Sequence, residues 1–232
     1  MGRVQEIVHC VTGTEDHLAQ ISGRLMSNVV PRRPKQKARV QAEHYIDIQL
    51  WHTANYLYDI GRRRRKGWFH PMVAASIFAF FAFEAYLNEV GRQLCPDVWK
   101  DERKYFAKGK YKGTIGKFKY LAEHTGYTYV SGVRPFQTVR HLAQVRDSIA
   151  HGRTEIVDVE VSLQRADAVA TDTKLSQWGE RPFAKQALGD VLVLSNGLMA
   201  AATTKFGKYK AGYRSSAFVG VTGSRSIQVV DK

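Results

Sequence analysis

The sequence predicts an all-α protein, an up-down bundle of four main helices with short extra helices and extended segments at both ends. Two patterns carry that expectation. Apolar residues recur at spacings of three and four in three long stretches, and a fourth, around Met72 to Phe83, is apolar on every side, as a central helix is. Alternation, the strand signature, is confined to two short runs, weak in Val4 to Val11 and clearer in Thr154 to Val161. A chain of 232 residues with 44% hydrophobic content is enough for one sizeable core.

Taken in order, residues 1–35 form an N-terminal arm, with one strand and a short helix from His17 to Met26 expected in it. The arm ends in the basic, proline-punctuated linker Pro31-Arg32-Arg33-Pro34-Lys35, which cannot start a helix before its last proline. The helical domain is expected over residues 36–206. Its first helix runs from about Lys37 to Arg63, with Ile46, Leu50, Leu57 and Ile60 on one side. Arg62, Arg63, Arg64, Arg65 and Lys66 close it, placing cations at the negative end of the helix before Gly67 stops it. That run is either a solvated helix end or a landing site for RNA phosphates.

The second helix, about His70 to Leu94, is the central one. Glu84 and Asn88, four apart, are polar groups on this buried element and need partners. Either Glu84 points toward Arg146, or it marks where the helix leaves the core. From Pro96 to Gly132, cations including Lys108, Lys110, Lys112, Lys117 and Lys119 alternate with Tyr105, Phe106, Tyr111, Phe118 and Tyr120. Two readings stand side by side: a nucleic-acid surface of cations and stacking rings, or a basic loop and a short helix, Ile115 to Glu123, whose rings pack.

A third main helix carries Val139, Leu142, Val145 and Ile149 and ends in Arg146-Asp147-Ser148-Ile149-Ala150-His151-Gly152-Arg153. Thr154 to Val161 reads as a short strand or extended connector, and Leu163 to Trp178 is ambiguous. The last helix spans Arg181 to Phe206. The tail, residues 207–232, is expected to be mobile or to add an edge strand around Phe218-Val219-Gly220-Val221.

Composition narrows function. The formal net charge of +14 favours polyanionic partners, either nucleic acid or an anionic surface. Two cysteines, Cys10 and Cys95, lie far apart with no CxxC, which excludes a zinc ribbon or a disulfide scaffold and fits a reducing cytoplasm. Glu, Asp, His and Gly interrupt the first thirty residues, so no signal peptide is expected. The Met72–Phe83 run stops at Glu84, too short to span a bilayer, so no membrane association is expected. No P-loop, GxSxG elbow or HExxH is present, and the eight His show no ligand spacing, so neither a metal nor another cofactor is expected.

The end of the third helix offers chemistry. Asp147 and His151 are four apart, share a helix face and can hydrogen-bond, which fixes the imidazole tautomer. His151 follows Arg146 by five, roughly 140° around an ideal helix, a gap that a long guanidinium partly closes. The group reads either as ordinary polar chemistry at a helix end or as an anion clamp beside a general acid/base.

Arg146, four intervening residues and His151, with Asp147 directly after the Arg and Gly152 after the His, resemble the R-x(4–6)-H signature of the HEPN superfamily. The upstream Phe83-Glu84-Ala85-Tyr86-Leu87-Asn88-Glu89 also resembles HEPN usage, over roughly residues 36–206. That resemblance implies a HEPN-like bundle and a metal-independent endoribonuclease, a homodimer whose two motifs face one cleft. It implies Arg146 and His151 as catalytic residues, with Asp147 orienting His151 or binding the ribose; Glu84 and Asn88, as polar groups on the central helix, are a second-rank site candidate. It further implies a toxin–antitoxin or anti-phage defence setting, with an antitoxin or defence-system partner. In HEPN toxins silenced by nucleotidylyl transfer a Tyr stands two positions after the motif His; here Arg153 does, a departure that argues against this control. HEPN proteins also include non-catalytic nucleic-acid-binding and adaptor proteins, which is the alternative reading. A helical structural protein without a nucleic-acid role is a third.

Overall fold

The computed structural model describes residues 37–152, 173–207, 217–220 and 223–230, and positions 156, 158, 160 and 162. The N-terminal arm, Arg153, most of the Thr154–Val161 run, the start of the Leu163–Trp178 stretch and residues 208–216 of the tail lie outside the described residues. The chain divides into two compact units, one of residues 46–220 and one formed by the segments on either side.

The larger unit is all-α. Its helices are α1 (Ile46–Arg63), α2 (Phe69–Leu94), α3 (Pro96–Trp99), α4 (Glu102–Tyr105), α5 (Gly113–Thr125), α6 (Phe136–His151), α7 (Lys174–Trp178) and α8 (Arg181–Phe206). α2 is the central element, packing on α1, α5, α6 and α8. It buries Ala79, Phe80, Ala82, Phe83, Tyr86 and Leu87 over two turns, as its apolar circumference requires. α8 answers with Leu188, Val191, Leu194 and Leu198, and the Tyr86 hydroxyl donates to the Ser195 carbonyl across the seam at 3.0 Å. By length and composition α2 and α8 each contain a window apolar enough to cross a bilayer, longer than the Met72–Phe83 run alone suggests. Half of each window is buried inside the bundle.

Two close approaches set the packing. A Cβ on Gly91 would fall about 2.0 Å from the Trp99 indole, so α3 folds against α2 only because that position has no side chain. The segment Ala217–Phe218, expected in a mobile or edge-strand tail, instead belongs to the core. Phe218 stacks on Trp51 with centroids 4.5 Å apart and touches Tyr86, while the Ala217 amide donates to Asn196 Oδ1 at 2.8 Å. Burying one such ring is worth about 1.5–3 kcal/mol, enough to draw the chain back onto the helices.

The smaller unit corrects the start of the first helix. Residues expected to be helical are a strand, β1 (Lys37–His44), paired antiparallel with β2 (Gly223–Val230) from Lys37 opposite Val230 to His44 opposite Gly223. α1 begins only at Ile46, with Asp47 in its first turn.

Candidate functional site

The site is built on the C-terminal half of α6. Val139, Leu142 and Val145 are buried and fix the rotation of the helix against α2 and α8. The apolar stripe then runs off the core: Ile149, the next residue of the series, is 41% exposed. Gly152 ends the helix in the left-handed region at φ 56°, which a side chain would strain, and its amide donates to the Ile149 carbonyl. His151 occupies the last turn and is exposed.

Arg146 is half-buried, and its Nη1 donates to Asp147 Oδ1 at 2.7 Å. The expected Asp147–His151 bond is not among those formed by the described residues. The neighbouring guanidinium gives that carboxylate a charge-paired hydrogen bond instead. Nor does Arg146 pair with Glu84. Both instead line a cleft of about 500 Å³ between α2, α4, α5 and α6, together with Asp147, Arg103, Lys112 and Lys117. Phe80, Phe106, Ile115 and Ala143 give it apolar walls. His151 is not among the lining residues.

Asn88 finds its partner in Lys117, whose Nζ donates to Asn88 Oδ1 at 2.7 Å and to Glu102 Oε1 at 3.1 Å. Lys117, expected on a nucleic-acid surface, is therefore an internal residue with a side chain only 7% exposed. It faces inward because α5 turns the side that carries Phe118 and Leu121 toward α2.

The rings of this region pack instead of standing free. Trp99, Phe106 and Tyr120 meet within 6 Å, Tyr105 and Tyr111 close on Tyr120, and Phe118 sits buried between Phe83 and Phe136. Lys108, Lys110 and Lys112 are exposed and Lys119 half-exposed. Lys110 is engaged with Glu123 at 3.0 Å, and Tyr111 donates to the same carboxylate at 2.6 Å. The Tyr111 hydroxyl and the Glu123 carboxylate hold the Lys110 ammonium well above the usual lysine range, and Glu123 is correspondingly held below the carboxylate range.

The cations Arg62, Arg63, Arg64 and Arg65 are all exposed at the end of α1. Arg62 is bound to Asp59 at 2.6 Å, which lowers the Asp59 pKa. Arg181 of α8 joins this cluster: its guanidinium donates to the Arg64 carbonyl and lies 5.3 Å from the Trp68 ring centre. No family model, curated protein or solved structure matches this chain.

Sequence reasoning passed over a polar network that holds the motif helix. Arg134, just before α6, binds the buried Asp190 of α8, which also accepts from Thr138 Oγ1 at 2.5 Å; Gln186 donates to that same hydroxyl oxygen. An Asp mid-way along an apolar helix was the available signal, since buried carboxylates need partners. Among the described residues no three His, Cys, Asp or Glu side chains gather into a metal-ligand set.

Proposed function

We propose that the chain is a metal-independent endoribonuclease of HEPN type, working as a homodimer through Arg146 and His151. The carrying observation is the end of α6: within its last two turns Arg146 reaches a cleft, His151 is exposed, and the apolar Ile149 beside it is left partly uncovered. One chain supplies a cation and one imidazole, and a second copy of the same helix end supplies the other imidazole. One His151 takes the 2′-hydroxyl proton, and the 2′-oxygen attacks the adjacent phosphorus. Arg146 stabilises charge on the phosphoryl oxygens, and the partner's His151 protonates the leaving 5′-oxygen as the P–O5′ bond breaks. The products carry a 2′,3′-cyclic phosphate and a 5′-hydroxyl. Asp147, bound to Arg146, positions the guanidinium. The exposed cations Arg63, Arg64, Arg65, Lys108 and Lys112, with the half-exposed Lys119, hold the RNA backbone. The setting proposed is a toxin or anti-phage effector with an antitoxin or defence-system partner.

A second reading, a non-catalytic nucleic-acid-binding or adaptor protein, is favoured by one observation: Asp147 is taken by Arg146, so that carboxylate does not orient His151. Cleavage of RNA in EDTA by wild type and His151→Ala, with the ends mapped, separates the two. Loss of cleavage in the variant, with RNA affinity kept, supports the nuclease. Binding without cleavage by either protein supports the binding module.

A further inference from the structure

The charged lining of the cleft between α2, α4, α5 and α6 sorts into internal pairs and free groups. Lys117 is taken by Glu102 and Asn88, and Arg146 by Asp147. Among the described residues that leaves one carboxylate, Glu84, and two cations, Arg103 and Lys112, with no hydrogen bond or ion pair. Glu84 is half-buried on α2, one turn after the buried Phe80; Arg103 and Lys112 are exposed. Phe80, Phe106, Ile115 and Ala143 give the cleft apolar surface beside these groups, and its volume of about 500 Å³ falls within the range of small-molecule sites.

A ligand matching this lining has apolar faces for the walls, donors for the Glu84 carboxylate and an anionic group for Arg103 and Lys112. From these features we infer that the cleft binds a guanylate. A carboxylate only accepts, through two oxygens side by side. Guanine alone among the four RNA bases presents two adjacent donors, N1–H and the N2 amino group, to such a pair. Adenine and cytosine offer one amino donor beside a ring lone pair that repels the carboxylate, and uracil offers one N–H flanked by carbonyls. Glu84 reads the guanine edge, the Phe80, Phe106 and Ile115 walls take its faces, and Arg103 and Lys112 hold its phosphate. Where this rests on the ribonuclease reading, Arg146 on the same wall makes the pocket the seat of a guanylate next to the scissile bond.

The test is calorimetric titration of the full chain, at low salt and without divalent metal, with the 5′-monophosphates of guanosine, adenosine, cytidine and uridine. The guanosine nucleotide is expected to bind about tenfold or more tighter than the adenosine one. Glu84→Gln should erase that preference while leaving the adenosine affinity unchanged, and Lys112→Ala should weaken all four alike. Thermal melts check that both variants fold. Absence of saturable guanosine binding up to about 10 mM, a range that covers even millimolar affinity, overturns the proposal. So does equal binding of guanosine and adenosine, or a preference that survives Glu84→Gln. A parallel arm compares an all-uridine RNA nonamer with one carrying a single central guanosine: tighter binding of the latter assigns the pocket to guanylate within RNA, and equal binding assigns it to the free nucleotide. RNA cleavage without guanosine binding removes the pocket alone; guanosine binding without cleavage removes the nuclease alone.

Discussion

Arg134 grips Asp190 with two parallel hydrogen bonds, Nε to Oδ2 at 2.8 Å and Nη2 to Oδ1 at 2.9 Å. This fork ties the chain just before α6 to the middle of α8, and the guanidinium is held above its ordinary pKa by the carboxylate. Thr138, itself buried, hangs on the same Asp190. Asp190→Ala removes the acceptor of a buried hydroxyl and is expected to cost about 1–3 kcal/mol in denaturant unfolding. If the ribonuclease proposed for Arg146 and His151 on α6 holds, RNA cleavage should fall in the same variant although neither residue has been altered. Full retention of stability would mean that the network is idle.

Lys117 and Lys112 sit on the same cleft and should behave in opposite ways. Lys117→Met strands Glu102 and Asn88; with Glu102 able to rehydrate, a loss of about 1–3 kcal/mol is expected. The salt dependence of RNA binding should not change. Lys112→Ala should leave the melting temperature in place and weaken RNA binding. A salt-slope change in the Lys117 variant would show that this ammonium reaches RNA after all.

For the basic run, replacing Arg63, Arg64 and Arg65 together by Ala should lower the slope of log K against log salt. The expected change is about 0.7 for each single-strand phosphate that is no longer neutralised. Arg62→Ala should change it less, because Asp59 already occupies that guanidinium. An unaltered slope in the triple variant would make the run a solvated helix end and nothing more.

His124 sits between Tyr120 and Phe206, stacked at centroid distances of 6.2 and 5.2 Å, and joins α5 to α8. Burial, and then the charge of Lys205, lower its pKa below the ordinary histidine value of 6.5. The folded state therefore prefers the neutral ring. Its contribution to stability is complete above about pH 6.5 and is lost as the pH falls from there through the lowered folded pKa. His124→Phe keeps the stack and removes the titration. Melting temperatures between about pH 7.5 and 5, a window that spans the titration, should decline less in this variant than in wild type, and parallel curves would refute the assignment.

What was legible in the sequence had local punctuation. α8 begins and ends where expected because Pro182 opens it and Gly207 follows it, and α6 stops at His151 because Gly152 adopts a backbone that favours glycine. The rest depended on distant partners. Lys37 to His44 is rich in helix formers, yet it pairs with a strand almost the whole chain away, and no window reveals that partner. Lys117 looks like its neighbouring lysines; only the meeting of α2, α4 and α5 buries it. Arg146, Asp147 and Glu84 were singled out and do share a cleft, but the pairing within them went to the adjacent residue. Arg103, supplied by the short α4, reads in the sequence only as one of the interleaved cations of the Pro96–Gly132 stretch, and nothing local places it at the cleft.

The ribbon of β1 and β2 has a consequence for how the protein is made. Its strands lie about 180 residues apart, and a ribosome adds roughly 5–20 residues per second, so β1 leaves the exit tunnel roughly 9–36 seconds before β2 exists. For that interval a nascent strand of backbone donors and acceptors has no mate, while the helices between the two strands are already collapsing. The first described residues of the chain to be translated are thus among the last to be ordered, and a chain cut short before Gly223 would leave that edge permanently open.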